Sequence, residues 1–175
     1  AVPVLDLRTG MPSIKVVPSG DSSRVGYETI QSTFGPGAPG ALQIVTPTAD
    51  LAAVTATLQN DPAIAAVMPG MPSANGNLTL LQAVPKTDPS DPALSTAIDR
   101  IRDEVPAGVL VGGAAAENHD LEVALGDATP IVIGIVLVLG FLLLLVALRA
   151  PVIAAIGVIT NLLAVGAAFG VGKLI

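Results

Sequence analysis

Two apolar runs without a charged side chain, Ala128 to Leu148 and Ala150 to Gly172, close a chain whose fourteen acidic residues all precede residue 128. The first run counts 21 residues, about 31 Å as an α-helix, which matches a hydrocarbon core of roughly 30 Å. Ile131, Val132, Ile133, Ile135, Val136 and Val138 favour a strand by propensity. In lipid, however, a lone strand leaves every backbone group unpaired, so a spanning helix is expected. The second run counts 23 residues and is separated from the first by Arg149 alone. The chain is therefore expected to reverse at Arg149-Ala150-Pro151 and return as a helical hairpin. Position and length exclude a secretory signal.

What precedes the hairpin is acidic and long enough for one soluble domain with a modest core. Six basic residues stand there against fourteen acidic ones, a balance of −8, while Arg149 and Lys173 add +2. A nucleic-acid partner is not expected, because such a binder needs a basic footprint to displace counterions. Cysteine is absent, which excludes a disulfide framework and a thiolate metal site. The positive-inside bias places the Arg149 turn in the cytoplasm, with residues 1–127 outside it. Ala1-Val2-Pro3-Val4-Leu5 reads as the end of a preceding membrane helix, and the chain as a piece of something larger.

Residues 6–26 are rich in Pro, Gly and Ser and suit a connector, with Ile14-Lys15-Val16-Val17 a short alternating stretch. Ser22 and Ser23 are expected to cap a short helix, Arg24 to Thr33, stopped by Gly35-Pro36-Gly37. Ala41 to Thr46 reads as a strand. Thr48 or Asp50 is expected to cap a helix through Leu58, with Leu51, Val54, Thr55 and Leu58 on one face. Ile64 to Pro69 and Leu78 to Val84 read as two strands joined by a turn at Ser73-Ala74-Asn75-Gly76-Asn77. Pro89 to Pro92 opens a helix over Ala93 to Glu104 with Leu94, Ala97, Ile98 and Ile101 facing inward, and Gly108 to Gly113 supplies a last strand.

The order β-α-β-β-α-β predicts an α+β, ferredoxin-like domain over residues 41–114, with one sheet face free for a neighbour. Residues 1–40 are then the helix end, connector and short helix. The spacing of Leu121, Ala124, Leu125 and Ala128 predicts one long helix over about 115–148, kinked at Pro130. Such a helix would rise roughly 20 Å out of the bilayer and lever domain motion into it. Residues 150–175 form the second, truncated span.

The run Val111-Gly112-Gly113-Ala114 with Asp120, the run Leu142 to Arg149 with Pro151, and the run Asn161 to Gly170 together resemble the mycobacterial membrane protein large (MMPL) family of the resistance-nodulation-division (RND) superfamily. Gly10-Met11-Pro12-Ser13 and Phe34-Gly35-Pro36-Gly37 likewise resemble the opening of that family's second extracytoplasmic domain. The resemblance implies proton-driven export of lipids or other hydrophobic compounds through the plasma membrane. It makes this chain the tail of helix seven, the second porter domain, helix eight and most of helix nine. Its implied partners are the lipid bilayer, a hydrophobic or lipid substrate, the first porter domain and the remaining helices. The family's proton-relay side chains would lie on helices outside this segment. The family's usual serine after the arginine is Ala150 here, and its frequent ninth-helix serine is Ala164. The alternative is a membrane-anchored extracytoplasmic binding or scaffolding module without transport activity.

Glu117, His119, Asp120 and Glu122 bring the one histidine beside carboxylates, with His119 and Glu122 neighbours on a helix. A solvated helix face is expected there in preference to a metal or a proton-responsive pair, since ligands are too few. Gly35 to Gly40 lacks the lysine and Ser/Thr of a phosphate cradle and reads as a structural turn, as does Gly112-Gly113. Thr160 and Asn161 are expected to meet partners on another helix, and Gly166 and Gly170 to permit close helix packing. Lys173 is expected to snorkel toward the outer interface and Arg149 to anchor orientation. No arrangement of Ser, His and Asp suggests an enzyme, so no catalytic, cofactor or metal residue is assigned.

Overall fold

The computed structural model describes residues 13–172, with side-chain surroundings described as far as Ala167. Ala1 to Leu5, Gly10 to Pro12 and Lys173 therefore lie outside the described residues. The described chain divides into two compact units, one ending at Leu121 and the other beginning at Glu122.

The first unit is a mixed α+β fold around an antiparallel sheet. Its elements are α1 (Ser22–Phe34), β1 (Leu42–Pro47), α2 (Leu51–Asn60), β2 (Ile64–Val67), β3 (Met71–Pro72), β4 (Leu78–Pro85), α3 (Pro92–Glu104), β5 (Leu110–Gly112) and the start of α4 (Ala114–Leu148). The sheet runs β2-β4-β1-β5, with β3 also on β4, and every pairing is antiparallel. Period-2 alternation sorts its faces. Leu42, Ile44, Leu81 and Ala83 point into the core, where Val54, Leu58, Leu94, Ala97, Ile98, Ile101, Ala115 and Ala116 meet them. All four inward positions expected on α3 are buried, and on α2 Val54 and Leu58 are.

Several local expectations are corrected. Asp21, not Ser22 or Ser23, caps α1, because its carboxylate accepts from both Ser23 N at 2.8 Å and Ser23 Oγ at 2.6 Å. An anionic acceptor also suits the positive end of a helix. Ile14–Val16 is a 3-10 turn rather than extended; Arg24 Nη1 donates to the Lys15 and Val17 carbonyls beside it. Neither Thr48 nor Asp50 caps α2 through its side chain: a 3-10 turn, Thr48–Asp50, leads into the helix. Thr48 Oγ1 donates instead to Gly76 O at 2.8 Å, tying the β3–β4 turn to the end of β1.

The strand expected over Ile64 to Pro69 stops at Val67 and restarts as β3, so two short strands share one edge of β4. Pro69 has no amide to give to a ladder. At Gly70 a Cβ would lie 2.6 Å from Thr79 Cγ2, so the backbone there packs directly on the sheet. α3 opens with Asp91 accepting from Ala93 N at 2.9 Å and Pro92 in the first turn. Asp91→Ala is expected to cost about 1 kcal/mol, read as a lower urea midpoint for the detergent-solubilised protein with an unchanged slope.

The second unit holds two apolar helices, the remainder of α4 and α5 (Pro151–Gly172). Among the described residues α4 is the one helix long and apolar enough to cross a membrane. The helix continues through Pro130. Arg149 ends it with φ +49, a left-handed turn residue, and its amide donates to Leu145 O at 2.9 Å. The Thr160 hydroxyl donates to Ile156 O at 2.9 Å, one turn back. A Cβ at Gly166 would meet nothing within 4 Å, whereas one at Gly157 would lie 3.2 Å from Leu144 Cδ1, so Gly157 is where a facing helix side chain packs.

Candidate functional site

Two ion pairs and a histidine–carboxylate hydrogen bond gather on α3, each made by a residue flanking its apolar stripe. Arg100 grips Asp61, just past α2, through Nη2 to Oδ1 at 2.8 Å and Nε to Oδ2 at 2.9 Å. Ala63 N adds a third bond to Asp61 Oδ1 at 2.7 Å. The Asp61 side chain is fully buried although Arg100 is not. Burial raises the carboxyl, but the Arg100 and Ala63 hydrogen bonds with the Arg100 and Lys86 charges outweigh it and hold it below the ordinary range. A shallow recess of about 430 Å³ beside the pair is lined by Thr57, Asn60, Asp61, Pro62, Arg100 and Glu104. With both oxygens engaged, Asp61 locks α2 to α3 and is poorly placed to move protons.

Two residues along, Arg102 reaches Asp120 of α4 at 2.5 and 2.8 Å and also donates to Val111 O at 3.0 Å. That guanidinium holds the Asp120 carboxyl below its ordinary range, chiefly by hydrogen bonding. His119 Nε2 lies 2.7 Å from Asp99 Oδ1. The cluster singled out in the sequence is thus divided: Asp120 goes to Arg102, His119 to Asp99, and Glu117 stays exposed. His119 departs from the solvated face expected for it. It is 8% exposed because it follows Ala115 by one turn and shares the buried side of α4 with Ala115 and Ala116. Among the described residues no three His, Cys, Asp or Glu side chains gather as metal ligands would.

The glycine-rich stretch after α1 is a structural closure. Gly35 ends α1 with φ +102, Ala38–Gly40 forms a 3-10 turn, and the amides of Ala38 and Gly40 are spent on Gly35 O and Gly37 O. Gln31 Nε2 bridges Pro36 O at 2.7 Å and Asp88 Oδ2 at 2.6 Å. Asp88 also accepts from Tyr27 at 3.4 Å, and burial together with that carboxylate pushes the phenol up to about 12. Gly112-Gly113 carries β5 into α4, with Gly113 at φ +98.

The sheet face away from the core carries an apolar row beside the Gln43–Gln82 pair. Val45 pairs with Leu110 on one side and Leu80 on the other, and Leu80 pairs with Met71, so the four form one row across the sheet. Leu110 is 68% and Met71 55% exposed. Sequence reasoning left this face free but missed the ion pairs and the row. Partners 39, 20 and 18 residues apart leave no local spacing to read. The one available signal was that Asp99, Arg100 and Arg102 flank a stripe already marked as buried.

The MMPL family model matches residues 37–175. The chain is 31% identical over 165 residues to the mycolic acid-containing lipids exporter MmpL11 of Mycolicibacterium smegmatis, covering 84% of this chain and 17% of that protein. It is 26% identical over 182 residues to the membrane protein YdfJ of Bacillus subtilis, covering 98% of this chain and 25% of that protein. A third relative, 28% identical over 186 residues, is the heme uptake protein MmpL11 of Mycobacterium tuberculosis, with coverage of 97% and 19%. The chain spans no more than about a quarter of the length of these relatives. By the reach of the family match and the identity to these relatives, the chain belongs to the MMPL family.

Proposed function

We propose that this chain is the second porter domain and the eighth and ninth membrane helices of a proton-driven transporter that exports lipids or other hydrophobic compounds, and that it has no enzymatic role. The observation that carries the reading is the family match, which extends through the sheet domain and both apolar helices together. The name of the M. smegmatis relative supports a lipid cargo. The strand order β2-β4-β1-β5, with α2 and α3 on one face, supports a ferredoxin-like domain over residues 41–114. Two helices joined at Arg149 support the domain division at 115–148 and 150–175, with the Arg149 turn cytoplasmic and residues 1–127 extracytoplasmic. The partners in this reading are the bilayer, the hydrophobic cargo and the rest of the same transporter.

Deleting the full-length gene from its host is expected to leave a class of cell-envelope lipid inside the cell, restored by complementation and blocked again by a protonophore. Lipid that reaches the surface equally in the deletion strain, with the protein shown to bind lipid in vitro, would replace export with a binding or scaffolding role. Cysteines at Gly76 and Arg149 that both label from the same side of the membrane would reject the topology.

A further inference from the structure

The two pairs that join α3 to α4 are alike in layout and unlike in chemistry. Asp99 and Arg102 lie one turn apart on α3, while His119 and Asp120 are consecutive on α4. Arg102–Asp120 is an ion pair throughout the physiological range. His119–Asp99 is one only when the imidazole carries its second proton. A neutral imidazole can still donate one hydrogen bond to Asp99, whereas the imidazolium adds a full charge facing that carboxylate. Histidine is the side chain whose charge changes between about pH 5 and 8.

Charged groups face the imidazole from both helices. From α3, Asp99 lies within hydrogen-bond distance and Asp103 sits exposed one turn further on, with Arg102 as the opposing cation. From α4 itself come Asp120, whose charge interacts with His119, exposed Glu117 and half-buried Glu122. The 3-10 turn Ala38–Gly40, which meets α4 at Ala115 through Gly40, brings no ionisable group. Arg102 is itself committed to Asp120 and to Val111 O.

We infer that His119 and Asp99 form a pH-responsive clasp: protonating the imidazole tightens the first turns of α4 on α3, and deprotonating it loosens them. Arg102–Asp120 and the buried Ala115 and Ala116 hold α4 in both states, so the clasp regulates local opening of the helix start rather than folding. Asp99 is 61% exposed, so solvent screens the pair and keeps the change to a few-fold. The inference goes beyond the transport reading and does not rest on it.

Hydrogen exchange on the full-length protein in detergent tests it, with rates corrected for intrinsic exchange at about pH 5.5 and 8. Peptides covering residues 114–125 are expected to be roughly two- to five-fold better protected at the lower pH. His119→Gln keeps a hydrogen-bonding side chain that cannot charge, and Asp99→Asn neutralises an exposed partner with the imidazole intact. Each is expected to flatten the pH dependence while leaving the protection of β1 and β4 unchanged. Wild-type protein with no pH dependence in these peptides would overturn the clasp, as would a wild-type dependence that persists in both variants.

Discussion

Gly37→Ala is expected to destabilise the sheet domain by about 3 kcal/mol or more, the upper range for forcing extra volume into a packed site. The backbone at Gly37 is ordinary, with φ −86 and ψ −7, so the requirement is for space and not for an unusual conformation. A Cβ there would lie 2.0 Å from Pro85 O, 2.6 Å from Pro85 C and 2.8 Å from Thr87 O. All three are backbone atoms, and the segment that carries them cannot easily give. Lys86 N is bonded to Ala63 O at 2.8 Å, and Asp88 is held by Gln31 and by its bonds from Ser90. Gly26→Ala is the control, because a Cβ there meets nothing within 4 Å on an exposed turn of α1. It is expected to stabilise α1 by about 0.5–1 kcal/mol. Hydrogen-exchange opening energies of the β1 and β4 amides in the detergent-solubilised protein read the Gly37 effect. Opening energies within about 0.5 kcal/mol of wild type would show that the turn can move aside.

The contrast between Gly37 and its neighbours shows where sequence reading stops. Gly35 to Gly40 was legible as a turn because two prolines and three glycines leave few regular alternatives. That Gly37 must be glycine depends on Pro85, 48 positions away, and no local pattern carries that. Helices and strands were legible for the same reason in reverse. The spacing of Leu94, Ala97, Ile98 and Ile101, or the alternation through β4, is itself the record of one face being buried. Caps were less legible, since Asp21, Ser22 and Ser23 all qualify chemically and only geometry chooses Asp21. The break between β2 and β3 turns on a single Pro-Gly pair within an otherwise continuous strand signal.

The polar contacts of α3 and α4 were the least legible part. Periodicity predicts which residues turn inward, and it placed Ala115 and Ala116 within the reach of the long helix without saying that His119 would follow them. A histidine among Glu117, Asp120 and Glu122 reads as solvated because its local company is charged. What buries it is α3, 20 residues back in the chain at Asp99. The apolar row Leu110, Val45, Leu80 and Met71 was half legible: alternation turns Val45 and Leu80 away from the core, but Met71 lay outside the expected strands and alignment in one row needs the register.

Arg100→Ala is expected to cost about 2–3 kcal/mol, somewhat less than the 3–5 kcal/mol typical when a fully buried pair loses one partner. The reduction follows from exposure: Asp61 has no accessible side-chain surface, but Arg100 keeps 37%. Truncating the arginine leaves a buried carboxylate with the Ala63 amide and the distant Lys86 charge as its support. The sign with pH follows from the direction of the shift. In the wild-type protein the Asp61 carboxyl is held below the ordinary aspartate range, so its contribution is fully present above that range and is lost as pH falls through the depressed value. Without Arg100, burial dominates and the carboxyl moves up, so the loss begins at a higher pH. Asp61→Asn in the same background removes the buried charge and is expected to recover part of the stability at neutral pH while flattening the acid side. Urea midpoints of the wild type, both single variants and the double variant, taken between about pH 3 and 7, give the coupling directly. A coupling below about 0.5 kcal/mol at pH 7 would mean that Ala63 N and solvent alone satisfy Asp61 and that Arg100 is a surface charge.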